Sequence, residues 1–499
     1  MKKTLLTFIT LLFIVHSFSQ GIVYVDIDAT GTNNGTNWVN AYNDSKDAFD
    51  NASIGDKIWI AEGTYVCQDT ARTATFIWLV DSISVYGGFN GTETVLTQRD
   101  WRNNPTIFSG EIQGDNDLTN NSFTVLSGPD GTTGLPINYS LIDGITISDG
   151  YATTVNAAGT QLYRWGGGFF LSGNVRKIDM NNCSFLNNHA LAGGAMNVSP
   201  SGVAAELNIT NTRFEGNVAS TASVIWVAAR QYKKPTITIE NSLFIKNINK
   251  DLGANTSGGV FYFSTNYSHS TVNMNNNTIT ENADSNSSST RSVFLLSRFS
   301  SASMTDLTVK NSIIYYNPYF SATVRNFSSS NFFFAADFYN CISNLNSYTV
   351  TTTLDKVYTH NPLFVNIATG DYTLQSTSPA IDSGTQVGLT VPLYDFGGKQ
   401  RIYGSQIDLG CYEYFQTFAS ISENVNDLEV SVYPNPTSNL LNFTSNHEID
   451  LIEIYDLSGK RINSFVNTKS IDISNYNSGV YIVKIFSDEN VATKKVIRN

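Results

Sequence analysis

The chain has 499 residues, of which 41% are apolar and 14% charged, so it holds enough hydrophobic material for a large core and for two or three domains. Disorder along the whole length is excluded. With 30 Lys and Arg against 42 Asp and Glu, the net charge is −12, which argues against a nucleic-acid partner held by a basic surface.

The first twenty residues have the pattern of a secretion signal. Lys2 and Lys3 precede an apolar run from Leu5 to Val15, and the small residues Ser17 and Ser19 follow before the expected cleavage point. The run is too short for a good spanning helix, and no later stretch approaches ~20 apolar residues. We therefore predict that residues 1–20 are a signal peptide, that the mature protein is exported, and that it has no transmembrane helix.

Residues 140–357 contain copies of one pattern: apolar, any, apolar, any, Asn, two residues, Phe or Ile, two residues, Asn. The clear copies are IDMNNCSFLNN from Ile178, LNITNTRFEGN from Leu207, ITIENSLFIKN from Ile237, VNMNNNTITEN from Val272 and LTVKNSIIYYN from Leu307. The first Asn column comprises Asn182, Asn211, Asn241, Asn276, Asn311 and Asn340, and the second Asn column comprises Asn188, Asn217, Asn247, Asn282, Asn317 and Asn346. Degenerate copies run from Ser140 to Gly150 and through the last Asn pair.

The alternation within each copy predicts short strands that cannot bury their apolar side alone, so successive copies must stack. Stacking at ~4.8 Å per coil gives a parallel β-helix, with Asn at fixed corners, where it tolerates left-handed backbone and bonds along the stack. A helical solenoid would need a 3.6-residue period, which is absent. A propeller would need hairpin-linked strands with tight turns, for which the signals are weak.

Four cysteines in an exported chain would normally suggest two disulfides. Cys183 and Cys341 occupy the same position of copies that lie five coils apart, about 24 Å, whereas a disulfide tolerates a Cα separation of only ~7 Å. Cys67 and Cys411 belong to opposite ends of the stack. We predict four reduced, buried thiols.

Several regions resemble secreted bacterial β-helix proteins. YVDIDATGTNNGTNWVNAY, GDKIWIAEGTY and VYGGFNGTET resemble the entry coils of right-handed parallel β-helix proteins of the pectin-lyase-like superfamily, and FLNN, FEGN, FIKN and AGGAM resemble repeats of polymorphic outer-membrane adhesins. HNPLFVN, SPAIDSG, DFGGKQRI and IDLGCYEY resemble a choice-of-anchor module. These resemblances imply a cap and first coils over 21–139, repetitive coils over 140–357, and terminal coils or a choice-of-anchor-like segment over 358–414.

The C-terminal seventy residues change character after an expected linker at 415–428. VYPNPTSNLLNF, IEIYDLSGKRI, SGVYIVKI and KKVIRN occur in order over 429–499 and are similar to the type A sorting domain of the type IX secretion system. That resemblance implies a small β-sandwich, recognition of residues 429–499 by the secretion machinery, and delivery to the extracellular space or the outer-membrane surface.

The enzyme reading requires a cluster of catalytic side chains. No column stacks the three or so carboxylates of a polygalacturonase-like hydrolase, and the GHG and RIK signatures of that family are absent. A lyase would need a basic group and a means of neutralising a uronate, and Lys246, Glu281 and Tyr316, which share a column, are the candidates. A cross-coil salt bridge beside an exposed Tyr is the simpler interpretation of that column.

Metal sites have weak sequence support. Glu111, Asp115 and Asp117 in EIQGDND could bind calcium. A solvent-exposed loop is the alternative explanation for these acidic residues. The histidines at 189, 269 and 360 fall at unrelated positions, so they indicate neither a metal cluster nor a Ser-His-Asp arrangement.

One outward-facing column combines aromatic and amide side chains. It runs through Leu171, Asn197, Trp226, Tyr262 and Leu295. Trp226 and Tyr262 lie on adjacent coils, where flat rings beside Asn could stack on sugars, so we predict a glycan-binding platform there. Packing of these rings under long inter-coil loops is the alternative.

The interpretation that follows is an all-β chain, a right-handed parallel β-helix followed by a small β-sandwich. We expect a non-enzymatic surface protein that adheres to, or binds, polysaccharide or glycans of a host or neighbouring cell. A polysaccharide lyase or glycoside hydrolase on the same scaffold is the alternative. No cofactor is expected apart from the candidate calcium site.

Overall fold

The computed structural model describes residues 21–67, 71–77, 80–128, 137–154, 164–199, 205–230, 234–252, 258–285, 292–298, 300, 303–320, 322–326, 335–344, 351–415, 429–457, 459–487 and 490–499. The chain forms two compact units, Met1–Phe415 and Gln416–Asn499. The predicted signal peptide and, apart from Phe415, the predicted linker lie outside the described residues.

The first unit is built around one long sheet that contains two stacks of parallel strands. The first stack comprises Ile22–Val25, Lys57–Ala61, Ser84–Phe89, Ser140–Asp143, Lys177–Asn181, Glu206–Thr210, Thr236–Glu240, His269–Asn275, Met304–Lys310, Ala335–Ser343 and Thr351–Tyr358. The second stack comprises Gly63–Val66, Thr106–Ser109, Ile145–Ser148, Ser184–Leu186, Arg213–Glu215, Leu243–Ile245, Thr278–Thr280 and Ile313–Tyr315. Each strand pairs with its equivalent one coil away, so the two stacks form two sides of each coil.

Two further parallel sheets complete the coils. A five-stranded sheet comprises Tyr151–Ala152, His189–Ala192, Val218–Thr221, Ile248–Asn249 and Ala283–Asp284. An eight-stranded sheet comprises Phe76–Ile77, Leu126–Ser127, Phe169–Leu171, Met196–Val198, Ile225–Arg230, Gly259–Asn266, Ser292–Arg298 and Ala322–Asn326. The helix Ser45–Asn51 and the 3₁₀ turns Leu96–Gln98, Leu118–Asn120 and Ile367–Thr369 lie between strands. The predicted parallel β-helix is confirmed.

The sequence repeats lie directly above one another. Ile178, Leu207, Ile237, Val272 and Leu307 are register partners on successive coils, and each is at most 1% exposed. The period-two alternation therefore directs every second side chain into one continuous core.

Stacked rings form part of that core. The rings of Phe185, Phe214 and Phe244 lie 5.0 and 4.8 Å apart with interplanar angles of 7° and 4°. Such stacks follow from strand spacing, because identical side chains at one position of successive coils meet at the distance between paired strands.

The first Asn column forms the corner between the two stacks of the long sheet. Its members adopt left-handed backbone, with φ between 49° and 55°: Asn182, Asn211, Asn241, Asn276, Asn311 and Asn340. Asn tolerates this conformation better than most residues because its short side chain bonds locally. Gly144 takes the same place in the degenerate first copy, with φ 77°.

The second Asn column is a buried amide ladder. Asn188 donates through Nδ2 to Asn217 Oδ1 at 3.1 Å, and the same contact continues to Asn247 at 2.9 Å and Asn282 at 2.8 Å. The last described contact of the ladder runs from Asn282 Nδ2 to Asn317 Oδ1 at 2.9 Å. Each side chain is also bonded to backbone, so the ladder satisfies buried polar groups along the stack. Asn346 lies outside the described residues.

All four cysteines are free and buried, as predicted. Burial raises the pKa of the thiols of Cys183, Cys341 and Cys411 to about 12. These thiols therefore stay protonated and unreactive in the folded protein.

Residues 358–414, expected to form terminal coils or a choice-of-anchor-like segment, contribute Tyr358 to the last strand of the first stack and then leave the coil sheets. Phe364–Asn366 and Asp371–Leu374 pair antiparallel, and the segment then returns along the outside of the second stack. Its Leu409 and Cys411 bury outward-facing Leu243 and Ile313 of that stack. Apolar residues on the outer side of these strands thus require a cover, and residues 359–415, here named the return segment, supply it.

The second unit contains two antiparallel sheets. One comprises Val430–Tyr433, Leu440–Ser445 and Ser470–Asp472, and the other comprises Arg461–Val466, Leu451–Tyr455, Gly479–Ser487 and Asn490–Arg498. Both sheets contribute to one core, which includes Leu441, Phe443, Ile452, Val483 and Ile485. The predicted small β-sandwich is confirmed. Across the part of the chain that the structure describes, no helix is long and apolar enough to cross a bilayer.

Candidate functional site

A cleft opens where the return segment passes over the first Asn column. Two adjoining cavities of about 440 and 290 Å³ share Trp101, Arg102, Asn182 and Asn211 in their walls, so they form one continuous cleft. Trp101 and Arg102 precede the strand Thr106–Ser109, while residues 392–398 of the return segment form the opposite wall.

The floor of the cleft is a row of side-chain amides. Asn182 donates to Asp143 Oδ1 at 2.7 Å, Asn211 donates to Asn182 Oδ1 at 2.5 Å, and Asn241 donates to Asn211 Oδ1 at 3.3 Å. Because these residues share the corner of successive coils, their amides repeat at the ~4.8 Å spacing of the strands.

The return segment binds this same row further along. Asn241 donates to Tyr394 O at 3.2 Å, and Asn340 donates to Ser383 O at 3.1 Å. Asn311 and the backbone of Thr385 form a reciprocal pair at 2.8 and 2.9 Å. The row is therefore covered from Asn241 onward, and its first two amides face the open cleft.

One wall carries a cation held against an indole. The Arg102 guanidinium carbon lies 4.0 Å from the centroid of the Trp101 ring, and its Nη2 donates to Phe396 O at 3.0 Å. Partial burial lowers the pKa of Arg102, although a guanidinium stays charged under all ordinary conditions. Among the described residues, no carboxylate lies within 4 Å of this guanidinium.

The other wall is held in place by a buried cluster of ionisable side chains in the return segment. Arg401 is 1% exposed, donates to Gly410 O at 2.6 Å, and lies 3.5 Å from Glu413 Oε1. Asp395 accepts the backbone N–H groups of Lys399 and Glu413 at 2.7 and 2.9 Å. Leu393 and Tyr394, which precede this cluster, are 80% and 61% exposed and border the open cleft.

The predicted platform residues Trp226 and Tyr262 lie on neighbouring strands, but their rings stack on each other. Their centroids are 6.1 Å apart with an interplanar angle of 7°. Tyr262 is 7% exposed, whereas Trp226 is half-buried, with its indole N–H bonded to Ser264 Oγ and its ring edge-to-face with Trp165. Only Trp226 of the pair offers appreciable surface to a ligand.

The lyase candidates share a second left-handed column but do not form one reactive group. Lys246, Glu281 and Tyr316 have φ of 55°, 55° and 52°. Lys246 Nζ lies 3.9 Å from Glu215, and Glu281 accepts a short hydrogen bond from Tyr372 of the return segment. The expected Lys246–Glu281 salt bridge is thus replaced by these two contacts.

The candidate calcium loop uses its carboxylates internally. Glu111 accepts from Gly114 N at 3.0 Å, Asp115 from Asp117 N at 2.9 Å, and Asp117 from Thr119 N at 2.9 Å. Within the described ranges, no three or more His, Cys, Asp and Glu side chains are grouped to hold a metal ion.

The histidines lie apart from one another and in different surroundings. His189 is packed against Tyr151, and burial lowers its pKa to about 4. His269 lies 2.7 Å from Asp306, and the ring of His360 lies against that of Tyr358. None of the three lines the cleft.

Sequence reasoning missed Trp101, Arg102 and Tyr394. Trp101 and Arg102 lie outside the motifs quoted above, and Tyr394 immediately precedes DFGGKQRI, which was interpreted only as part of a choice-of-anchor module. The available signal was the adjacent Trp101 and Arg102, an indole beside a cation in a segment outside the repeats.

Comparison with known proteins identifies the second unit. Residues 431–499 match the family described as secretion system C-terminal sorting domain, which implies type IX export to the cell surface or beyond. No curated protein sequence matched the chain.

Solved structures gave distant likenesses. Pectate lyase Pel9A is 14% identical over 80% of this chain and 98% of its own, with a TM-score of 0.39. Pectin methylesterase from carrot is 13% identical over 68% and 85%, with a TM-score of 0.31, and that from Aspergillus niger is 14% identical over 69% and 92%, with a TM-score of 0.23. Likenesses at this level do not bear on activity, and the β-helix is assigned from the strand pairing above.

Proposed function

We propose that this chain, which carries a type IX sorting domain, is a surface or secreted β-helix protein that binds polysaccharide without cleaving it and so serves adhesion. The observation that carries the proposal is the cleft beneath the return segment. It combines an amide row, an indole, a phenol and one guanidinium in a space of about 440 Å³.

Carbohydrate suits the chemistry of this cleft. Sugar hydroxyls both donate and accept hydrogen bonds, and a side-chain amide offers two N–H groups and two lone pairs. The row uses one N–H and one lone pair of Asn211, which leaves one of each for a ligand. The exposed Tyr394 ring adds an apolar surface on which the face of a sugar can pack.

Binding is favoured over glycoside hydrolysis by the state of the carboxylates. Hydrolysis needs two carboxyl groups flanking the scissile bond. Asp395 is the carboxylate among the residues that line the larger cavity, it is 2% exposed, and both of its oxygens accept backbone N–H groups. It is therefore poorly placed to act as a nucleophile or a general acid.

We also propose the stacked pair of Trp226 and Tyr262 as a second glycan contact. Of the two rings, only that of Trp226 is exposed enough to touch a ligand. The half-buried Trp226 and its neighbour Trp165 support this contact, and the burial of Tyr262 restricts it to a small area. Loss of glycan binding in Trp226→Ala, with no loss in the cleft variant below, would assign binding to this sheet instead of the cleft.

A glycan array probed with the full-length protein tests the proposal. Tyr394→Ala removes a 61%-exposed ring from the cleft, and Tyr319→Ala removes an equally exposed ring elsewhere on the first unit. We expect Tyr394→Ala to lose most of the array signal and Tyr319→Ala to retain it. Equal signals for both variants and the parent protein would contradict a cleft-borne function.

A further inference from the structure

The return segment carries an exposed loop of apolar residues. In residues 386–393, here named the apolar loop, Val387 and Leu393 are 81% and 80% exposed, which makes them the two most exposed large apolar side chains among the described residues. Tyr394, 61% exposed, follows directly. Of the eight residues from 387 to 394, five are Val, Leu or Tyr. Exposed apolar side chains normally lie scattered over a surface, so their grouping on one loop indicates a binding partner.

Both ends of the apolar loop are tied to the first Asn column. Before the loop, Thr385 exchanges hydrogen bonds of 2.8 and 2.9 Å with Asn311, and after it Tyr394 O accepts from Asn241 at 3.2 Å. Asn241 and Asn311 lie two coils apart, about 9.6 Å along the stack. Because eight residues can span about 27 Å when extended, the loop between such close anchors bulges outward.

The apolar loop is uncharged, and its acidic neighbours are bonded within the protein. The sequence GTQVGLTVPLY, from Gly384 to Tyr394, contains no Asp, Glu, Lys or Arg. Asp395 is 2% exposed and accepts two backbone N–H groups, and the half-buried Asp382 accepts Gln406 N at 2.8 Å. The loop can therefore leave water without removing a charged side chain from water, which is the costly step for most surface loops.

The size of the apolar loop distinguishes between two kinds of partner. A stable protein interface uses about 20 to 30 residues and 800 Å² on each side, far more than this loop offers. Shallow insertion into a bilayer needs only a few apolar side chains, with aromatic side chains at the level of the headgroups, and gives weak, reversible attachment. Val387 and Leu393 meet the first requirement, and Tyr394 meets the second. The sorting domain also directs the chain to the cell surface or beyond, where bilayers are within reach.

We propose that the apolar loop inserts into the surface of a lipid bilayer: Val387 and Leu393 enter the boundary of the acyl chains, and Tyr394 lies among the headgroups. This contact is independent of the proposed polysaccharide binding, because Val387 does not line the cleft.

Cosedimentation of the full-length protein with lipid vesicles tests the proposal. One set of vesicles is phosphatidylcholine alone, and the other is equal parts of phosphatidylcholine and phosphatidylglycerol. The parent protein is compared with Val387→Ser and Val39→Ser. Val39 is 68% exposed on the first unit and lies outside the apolar loop, so its variant makes the same chemical change at another exposed place.

We expect the parent protein to bind phosphatidylcholine vesicles, and Val387→Ser to bind them about tenfold more weakly, as the loss of one inserted Val side chain predicts. Val39→Ser should bind as the parent does, and Val387→Ser should retain its glycan-array signal. The anionic vesicles should bind no better than the neutral ones, because the net charge of −12 opposes attraction to an anionic surface.

An environment-sensitive fluorophore on Val387→Cys reports insertion directly. The four native thiols are buried, so labelling of the folded protein is confined to the new cysteine. The emission should shift to the blue when phosphatidylcholine vesicles are added. The same fluorophore on Val39→Cys should show no shift.

Four outcomes would overturn the proposal. Absence of parent protein from both vesicle pellets would exclude the lipid contact and leave polysaccharide binding standing. Equal binding by Val387→Ser and Val39→Ser would assign the contact to another surface. Binding confined to anionic vesicles would indicate electrostatic adsorption. Self-association of the parent in analytical ultracentrifugation, lost in Val387→Ser and accompanied by no vesicle binding, would assign the apolar loop to contacts between copies of the chain.

Discussion

Replacing Asn217 with Ala tests the stacking of the coils through the buried amide ladder. Asn217 Oδ1 accepts from both N and Nδ2 of Asn188 at 3.1 Å, and its Nδ2 donates to Phe185 O and Asn247 Oδ1 at 2.9 Å. Its exposed fraction is 0%. Four hydrogen bonds in the interior therefore disappear with one side chain.

The expected loss in the free energy of unfolding depends on which hydrogen-bond partners of Asn217 keep another partner in the variant. The Asn188 backbone N–H loses its acceptor, and an unsatisfied buried donor costs about 1 to 3 kcal/mol. Asn188 Nδ2 keeps its bond to Ile147 O, so the losses at the other contacts are nearer ~1 kcal/mol each. We expect the free energy of unfolding to fall by about 4 to 6 kcal/mol in total.

Urea unfolding of the full-length protein, followed by far-UV circular dichroism, measures this change. Thr238→Ala is the control, because Thr238 is half-buried on the outward row of the adjacent coil and its truncation should change the free energy by about 0.5 kcal/mol or less. If the two variants differ by under about 1 kcal/mol, the ladder does not stabilise the stack as argued.

Two further outcomes follow from buried groups. Four thiols should react with a thiol reagent only after unfolding without reductant, since all four cysteines are free and buried; fewer than four reactive groups would reveal a disulfide. Burial raises the pKa of Glu413 from 4.5 to about 8. The unfolded state therefore loses this proton first, so the group's contribution to stability is full below pH 4.5, declines as pH rises and levels off above pH 8. Glu413→Gln should flatten the pH dependence of unfolding in that window, and an unchanged slope from pH 5 to 8 would refute the raised pKa.

The coils were predictable from sequence because their information is local and repeated. Asn182, Asn211 and Asn241 recur at the same place of the pattern, so the register of their strands and their left-handed corners follow from alignment of the copies. The burial of Cys183 and Cys341 follows from the same alignment, since both occupy one inward position.

The cleft was not predictable in the same way, because its walls are far apart in sequence. Arg102 and Phe396 are separated by 294 positions, and the return segment carries no copy of the repeat. No pattern in the amino-acid sequence indicates that residues 383–411 pass over the outward side of the second stack.

Adjacent positions also did not determine side-chain orientation. Trp226 and Tyr262 are register partners as expected, yet their rings stack on each other, and only the Trp226 ring stays partly exposed. Glu281 likewise takes its partner from Tyr372 of the return segment, 91 residues away, and not from the next coil.

The most direct test of the account is the fate of a polysaccharide that the protein retains. After prolonged incubation with the full-length protein, the chain length of that polysaccharide is measured by size-exclusion chromatography, and its new reducing ends and unsaturated products are counted. A binding protein leaves the length unaltered and produces no new ends, as we predict. Progressive shortening, abolished by unfolding the protein, would show that the cleft or another surface is catalytic.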